Sequence, residues 1–171
     1  MKSRKNWAGF AVGLMCGAVI FGGAGYAAGV VATPLSETSQ KIMLDGQEVS
    51  LEGYNINGNS YFKLRDVAGA VNGTAKQFQT YWDESKQAIE LFRGVPYSSS
   101  VSGAAGRYGD TYGTTSTAKL YCDGERKSVS AYTINDYTYY KLRDLAKLLD
   151  MGVTWEEGSA TIGINTAKSY Q

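Results

Sequence analysis

The sequence predicts an α+β protein. It is built as two β-β-β-α-β-β repeat units, each a mainly antiparallel sheet curled against one helix, packed as one pseudo-symmetric domain. Three observations predict this. Residues 41–72 align without gaps on residues 119–150 at an offset of 78, with 13 identities in 32 positions, a self-similarity that marks a repeat architecture. Within each copy, short apolar runs are bounded by hairpin dipeptides such as Asp45-Gly46, Asn57-Gly58 and Asp123-Gly124, where positive φ is tolerated. The period then changes: Leu64, Val67, Ala68 and Val71, and again Leu142, Leu145, Ala146 and Leu149, stand at the i, i+3, i+4, i+7 spacing of one helix face. A unit of about 50 residues buries too little apolar surface to be secure alone, so the two are expected to share a core.

The elements follow in order. Residues 1–32 read as a targeting segment: Lys2, Arg4 and Lys5 precede an uncharged, mostly apolar run from Ala8 to Ala32. This is the pattern of an export signal, with small residues suiting cleavage before Ala28 or before Thr33. An uncleaved membrane anchor is the alternative, since about 20 apolar residues span a bilayer. Met15 directly before Cys16 is a poor fit to a lipidation site. Unit 1 covers residues 41–94. Ile42–Leu44 and Val49–Leu51 flank the Asp45-Gly46 turn, Tyr54–Ile56 and Ser60–Phe62 flank Asn57-Gly58, the helix follows, and Asn72-Gly73 stops it. Phe78–Trp82 and Ala88–Phe92 form a closing hairpin. Residues 95–117 hold 13 Ser, Thr or Gly in 23 positions, the composition of a flexible linker. Unit 2, residues 118–166, repeats the order and closes with Val153–Trp155 and Ala160–Ile164. Trp82 matches Trp155 at an offset of 73, so unit 1 carries five extra residues after its helix.

Composition excludes several functions. The 171 residues contain no His and two Cys, with a net charge of +1. There is no Ser-His-Asp triad, no Cys-His dyad and no His-ligated metal. Two cysteines build neither a Cys₄ site nor a disulfide framework. The charge balance offers no footprint for nucleic acid.

The arrangement resembles the copper amine oxidase N-terminal-like domain, or stalk domain, of secreted and cell-surface proteins from Gram-positive bacteria. The matching residues are Asp45-Gly46, the run Asn55 to Asp66, Trp82-Asp83 and their partners Asp123-Gly124, Thr133-Ile134-Asn135, Tyr139 to Asp144 and Trp155-Glu156. Family members often carry Pro where Lys63 and Lys141 stand, a position that suits the first helical turn. The resemblance implies an accessory, non-enzymatic spacer or interaction domain of the cell envelope, outside the cytoplasm. It implies no copper, because that metal belongs to another domain of the oxidases.

Candidate sites divide accordingly. The repeat motif Leu64-Arg65-Asp66 and Leu142-Arg143-Asp144 reads as structural: Leu packs, while Arg and Asp tie the helix start to the preceding turn or the other unit. Repeat equivalence places Trp82 and Trp155 in the core. Asp83, Glu84, Glu156 and Glu157 fall in hairpin turns, without the cleft a glycosidase pair needs or the ligand spacing of a calcium loop. No cofactor and no metal is implied. Tyrosine is the better lead, with 13 in the chain. Tyr132, Tyr137 and Tyr139 form a candidate surface for sugar rings or a protein partner, since Tyr buries area while its hydroxyl finds a partner; the plain alternative is that Tyr suits strands. The expected partners are a cell-wall glycan or another envelope protein, with membrane contact only through residues 8–32 if they are retained.

Overall fold

The computed structural model describes residues 32–98 and 112–171. The targeting segment up to residue 31 and the middle of the Ser/Thr/Gly-rich stretch, 99–111, lie outside the described residues. Of those described, 50% are in strands and 12% in helices. The protein is therefore mainly β, and the α+β expectation of two β-β-β-α-β-β units is corrected.

The physical reasons lie in the elements themselves. Four strands, not three, precede each helix. In the first half these are β3 (Lys41–Leu44), β4 (Gln47–Val49), β5 (Gly53–Ile56) and β6 (Asn59–Lys63). In the second they are β10 (Lys119–Cys122), β11 (Glu125–Lys127), β12 (Ala131–Ile134) and β13 (Tyr137–Lys141). The helices are only about two turns long, α1 (Leu64–Ala70) and α2 (Leu142–Leu149). Asp150, in the left-handed region at φ 55°, ends the second. The two-residue turns carry positive φ at both positions, as at Asp45 (48°) and Gly46 (84°) or Asn135 (52°) and Asp136 (65°). That twist suits a tight antiparallel hairpin.

Nor does each sheet belong to one repeat. The closing hairpin of the first half, β7 (Phe78–Asp83) and β8 (Ala88–Arg93), joins the opening hairpin of the second in a sheet ordered β11-β10-β8-β7. The closing hairpin of the second half, β14 (Gly152–Glu156) and β15 (Thr161–Asn165), joins the opening hairpin of the first as β14-β15-β3-β4. The junctions are parallel, Ala88 opposite Lys119 and Thr161 opposite Lys41. The aspartate of each Asp-Gly turn secures the exchange. Asp45 accepts from the Thr166 N–H at 2.7 Å and its hydroxyl at 2.6 Å. Asp123 accepts from the Arg93 N–H at 3.0 Å and Nε at 2.6 Å.

Three more strands, β1 (Ala32–Pro34), β2 (Ser36–Glu37) and β9 (Tyr112–Thr115), complete a third sheet of seven strands in the order β1-β9-β12-β13-β6-β5-β2. Its outer members, β1 and β2, are consecutive in the chain, separated by Leu35 alone. β1 pairs with β9 and β2 with β5. One strap of chain thus bridges both edges, and the sheet curls nearly into a barrel. β9 falls inside the stretch read from composition as linker.

Each face of this sheet has its own core. On one, Tyr54 meets Tyr139 and Tyr61 meets Tyr132, both edge-to-face with ring centroids 5.2 Å apart. The repeat offset converts one pair into the other. Such contacts add about 0.5–1.5 kcal/mol each beyond burial. Ile56 and Ile134 are buried in that cluster, and Leu35 and Tyr137 pack against it. On the other face, Phe62 and Tyr140 pack with the buried helix residues Leu64, Val67, Leu142, Leu145 and Leu149 and with the two smaller sheets. Each fully buried side chain of this size contributes about 1.5–3 kcal/mol.

Candidate functional site

Two clefts open where the hairpin sheets meet the barrel-like sheet, and the repeat relates them. The larger, about 600 Å³, lies between Lys63–Arg65, the free edge of β7 and Asp136–Thr138. The smaller, about 380 Å³, lies between Lys141–Arg143, the free edge of β14 and Gly58–Ser60. Each takes its Lys-Leu-Arg floor from one half and its hairpin turn from the other.

The larger cleft is aromatic. Tyr81 and Trp82 on β7 are 51% and 44% exposed, and Tyr97 and Tyr137 also line it. At equivalent positions the smaller cleft carries Thr154, Trp155 and Asn59. The free edge of β7 is partly closed by Gln79, whose Oε1 accepts the Thr80 N–H at 2.9 Å while its Nε2 donates to Ser98. This satisfies a sheet edge that would otherwise template pairing with another chain.

The charges of the larger cleft are engaged. Lys63 is buried; its Nζ lies 3.4 Å from Glu52 and 3.8 Å from Asp66, and 4.4 Å from the centre of the Tyr137 ring. The Arg65 guanidinium lies 5.3 Å from the same ring centre. Tyr137 is therefore held between two cations, an arrangement worth about 0.5–2 kcal/mol per contact depending on exposure. Burial pushes the Asp66 carboxyl above its usual range, with the Lys63 ammonium opposing it. Half-exposed rings beside planar polar groups offer stacking surfaces with hydrogen-bonding rims, which is the chemistry of ring-shaped polar ligands.

No protein-family model, curated protein or solved structure matches this chain.

The structure separates the tyrosines singled out from sequence. Tyr137 lines the larger cleft. Tyr139 is 3% exposed and faces Tyr54 inside the barrel-like sheet. Tyr132 is half-buried against Tyr61. One surface made of all three does not exist, because Tyr132 and Tyr139 are committed to ring pairs in the core. The tryptophans depart from expectation in the opposite sense: Trp82 and Trp155 are 44% and 45% exposed rather than in the core. Both stand on edge strands near the hairpin turn, beyond the reach of the helix that covers the sheet.

In the repeat motif, Leu64 and Leu142 are buried. Asp144 ties the start of α2 to the segment just before β12 by accepting the Ser130 N–H at 3.0 Å, whereas Asp66 faces Lys63. Arg143 is exposed in the smaller cleft. The turn carboxylates serve local geometry: Asp83 Oδ1 accepts from Ser85 and Lys86 N–H groups, and Glu156 accepts the Ser159 hydroxyl at 2.6 Å. Among the described residues no cluster of His, Cys, Asp and Glu could hold a metal ion, and no helix is long and apolar enough to cross a membrane.

Sequence reasoning missed Tyr81, Tyr97, Gln79 and Asp136. The signal for two of them was present. Tyr81 against Thr154 and Asp136 against Gly58 are positions where the repeats differ, whereas attention to the identities favoured the frame.

Proposed function

We propose that the protein is a non-enzymatic interaction domain of the bacterial cell envelope, of the stalk-domain kind, lying outside the cytoplasm and holding a cell-wall glycan in its larger cleft. The observation that carries this reading is the asymmetry of the two clefts. One frame is used twice, but only one copy adds Tyr81 and Tyr137 to the tryptophan that both share. Strand propensity does not account for it, since Thr154 and Asn59 occupy the same strand positions in the other half. The apolar C–H face of a sugar ring complements the electron-rich face of an aromatic ring. Arg65, Asp136 and Ser98 at the rim supply donors and acceptors for hydroxyls.

The test is co-sedimentation of the full chain with isolated Gram-positive cell walls, with soluble protein from the same cells as competitor. Wall binding that survives competition and drops about tenfold in Trp82→Ala and in Tyr137→Ala is expected, the loss of one good stacking contact at ~1.4 kcal/mol. Sedimentation unchanged in both variants would reject the cleft. Absence of sedimentation would reject the glycan and leave a spacer or protein-binding role, to be pursued by cross-linking in intact cells.

A further inference from the structure

We infer that the smaller cleft is a second binding site, for the anionic group of an acidic polysaccharide: a carboxylate or phosphate seated on Lys141 and Arg143, with the adjoining sugar ring against Trp155. The cleft is lined by both cations, by Gln40, Asn59 and Ser60, and by the half-exposed indole. Among the described residues no carboxylate lines it. Among the described residues neither Lys141 nor Arg143 forms an ion pair. The Gln40 amide is oriented by its oxygen, which accepts the Thr38 hydroxyl at 2.8 Å and the Ser60 hydroxyl at 2.7 Å. Its two N–H donors are thereby left for a ligand.

The larger cleft acts as an internal control. Its lysine, Lys63, has Glu52 and Asp66 beside it, and Asp136 lines the cleft wall. In the other half Glu52 is replaced by Ser130 and Asp136 by Gly58. The remaining carboxylate, Asp144, is engaged by the Ser130 N–H. Glu156, next to Trp155 on β14, is engaged by the Ser159 hydroxyl. Lys63 is thus ion-paired with two carboxylates, whereas Glu52 and Asp136 have no acidic counterpart beside Lys141 and Arg143, where Asp144 makes no ion pair with either cation. Two like charges confined together repel, and an anion between them reverses the sign of that interaction. A guanidinium presents a planar fork that matches carboxylate and phosphate oxygens. Trp155 selects a ligand that carries a ring next to its charge, since its exposed face has value only for an apolar surface laid against it.

The test titrates the full chain with oligogalacturonate, a ring-borne carboxylate, with phosphomannan, a ring-borne phosphate, and with neutral cello-oligosaccharide. Binding of an anionic polymer, weakened by added salt and absent for the neutral one, is expected. The carboxylate and phosphate arms tell the two anions apart. Lys141→Gln, Arg143→Gln and Trp155→Ala should each lower affinity about tenfold, the size of one lost charge-assisted contact. Ser130→Glu combined with Gly58→Asp should abolish binding with an unchanged circular-dichroism spectrum, because the fold already carries those residues at positions 52 and 136. Failure of both anionic polymers to bind, or affinity indifferent to these variants, would overturn the inference. So would polyglutamate binding that survives Trp155→Ala, which would point to an acidic polypeptide. Wall binding indifferent to Trp82→Ala refutes the larger-cleft reading alone, so the two sites fail separately.

Discussion

Replacing Tyr140 with phenylalanine should stabilise the protein. Tyr140 is 1% exposed, packed in the core beneath the helices. Its hydroxyl is buried and has no hydrogen-bond partner among the described residues. Leaving such a group unsatisfied costs about 1–3 kcal/mol. The structure supplies its own reference compound, because the repeat-equivalent residue is Phe62, 0% exposed in the same core. Deleting one oxygen leaves a gap smaller than a methyl group, so the packing loss is under about 1 kcal/mol. The net expectation is a gain of about 1–2 kcal/mol, or a rise in Tm of roughly 2–4 °C per kcal/mol for a chain of this size. Urea unfolding followed by circular dichroism measures it: the midpoint should rise with the slope unchanged. A lower midpoint would refute the reasoning, since it would mean that the hydroxyl is satisfied in solution.

Two further predictions come from the same core. Burial pushes the Tyr140 phenol far above its ordinary value of 10, and burial, with Tyr132 and Asp144 nearby, raises Tyr61. Both are acids whose folded pKa exceeds the unfolded one, so stability should be level below about pH 10 and fall as pH rises through and beyond it. Unfolding midpoints that stay flat from about pH 8 to about pH 11 would contradict this, and Tyr140→Phe should remove its share of the fall. Glycine substitutions should split by location. A Cβ on Gly53 would lie 2.5 Å from the Phe62 ring and 2.8 Å from the Tyr61 carbonyl, so Gly53→Ala should cost about 1–3 kcal/mol by overpacking. Gly69, inside α1 with open space around it, should gain about 0.5–1 kcal/mol on the same change. Equal melting temperatures for the two variants would refute the packing argument.

What could be read from the sequence was local. The Asp-Gly and Asn-Gly turns announce themselves through backbone conformations few residues tolerate. The helix face is set by spacing, and Leu64, Val67, Ala68 and Val71 are all buried as that spacing requires. Long-range pairing left no such mark. The parallel contact of Ala88 with Lys119 joins segments whose own patterns are those of ordinary hairpins, so nothing local says that the closing hairpin leaves its own half. The strap at 32–37 was hidden because its strands are only three and two residues long and the first, at the end of an apolar run, contains Pro34. The tryptophans were misplaced because repeat equivalence establishes that two positions are alike, not that they are buried. Tyr137 and Tyr139 share a strand face by alternation, but one stands at the turn facing a cleft and the other at mid-strand in a closed interior.

The two halves together carry information that neither carries alone. Positions at which they agree, such as the Asp45 and Asp123 clamps, are positions that the shared frame uses. Where they differ, the frame has shown that it accepts either residue. By that criterion Tyr81, Glu90 and Tyr121, which stand side by side across three strands, are not demanded by the fold, because Thr154, Gly163 and Met43 form the equivalent row. Glu90 makes the point sharply. It is 1% exposed and paired with Lys86 at 2.6 Å, yet its counterpart is a glycine. Lys86 is half exposed, and an ion pair that an equivalent site does without is weak evidence of a stabilising role. Glu90 stands opposite Tyr81 on the neighbouring strand, and Tyr81 stacks on Phe92 with ring centroids 5.7 Å apart and borders the larger cleft. One half of a duplicated frame thus carries additional aromatic rings, and the larger cleft has Asp136 in its wall. The smaller cleft lacks counterparts of Glu52 and Asp136 and keeps both cations. Opposite changes in two copies of one scaffold are what division of labour between two binding sites would produce.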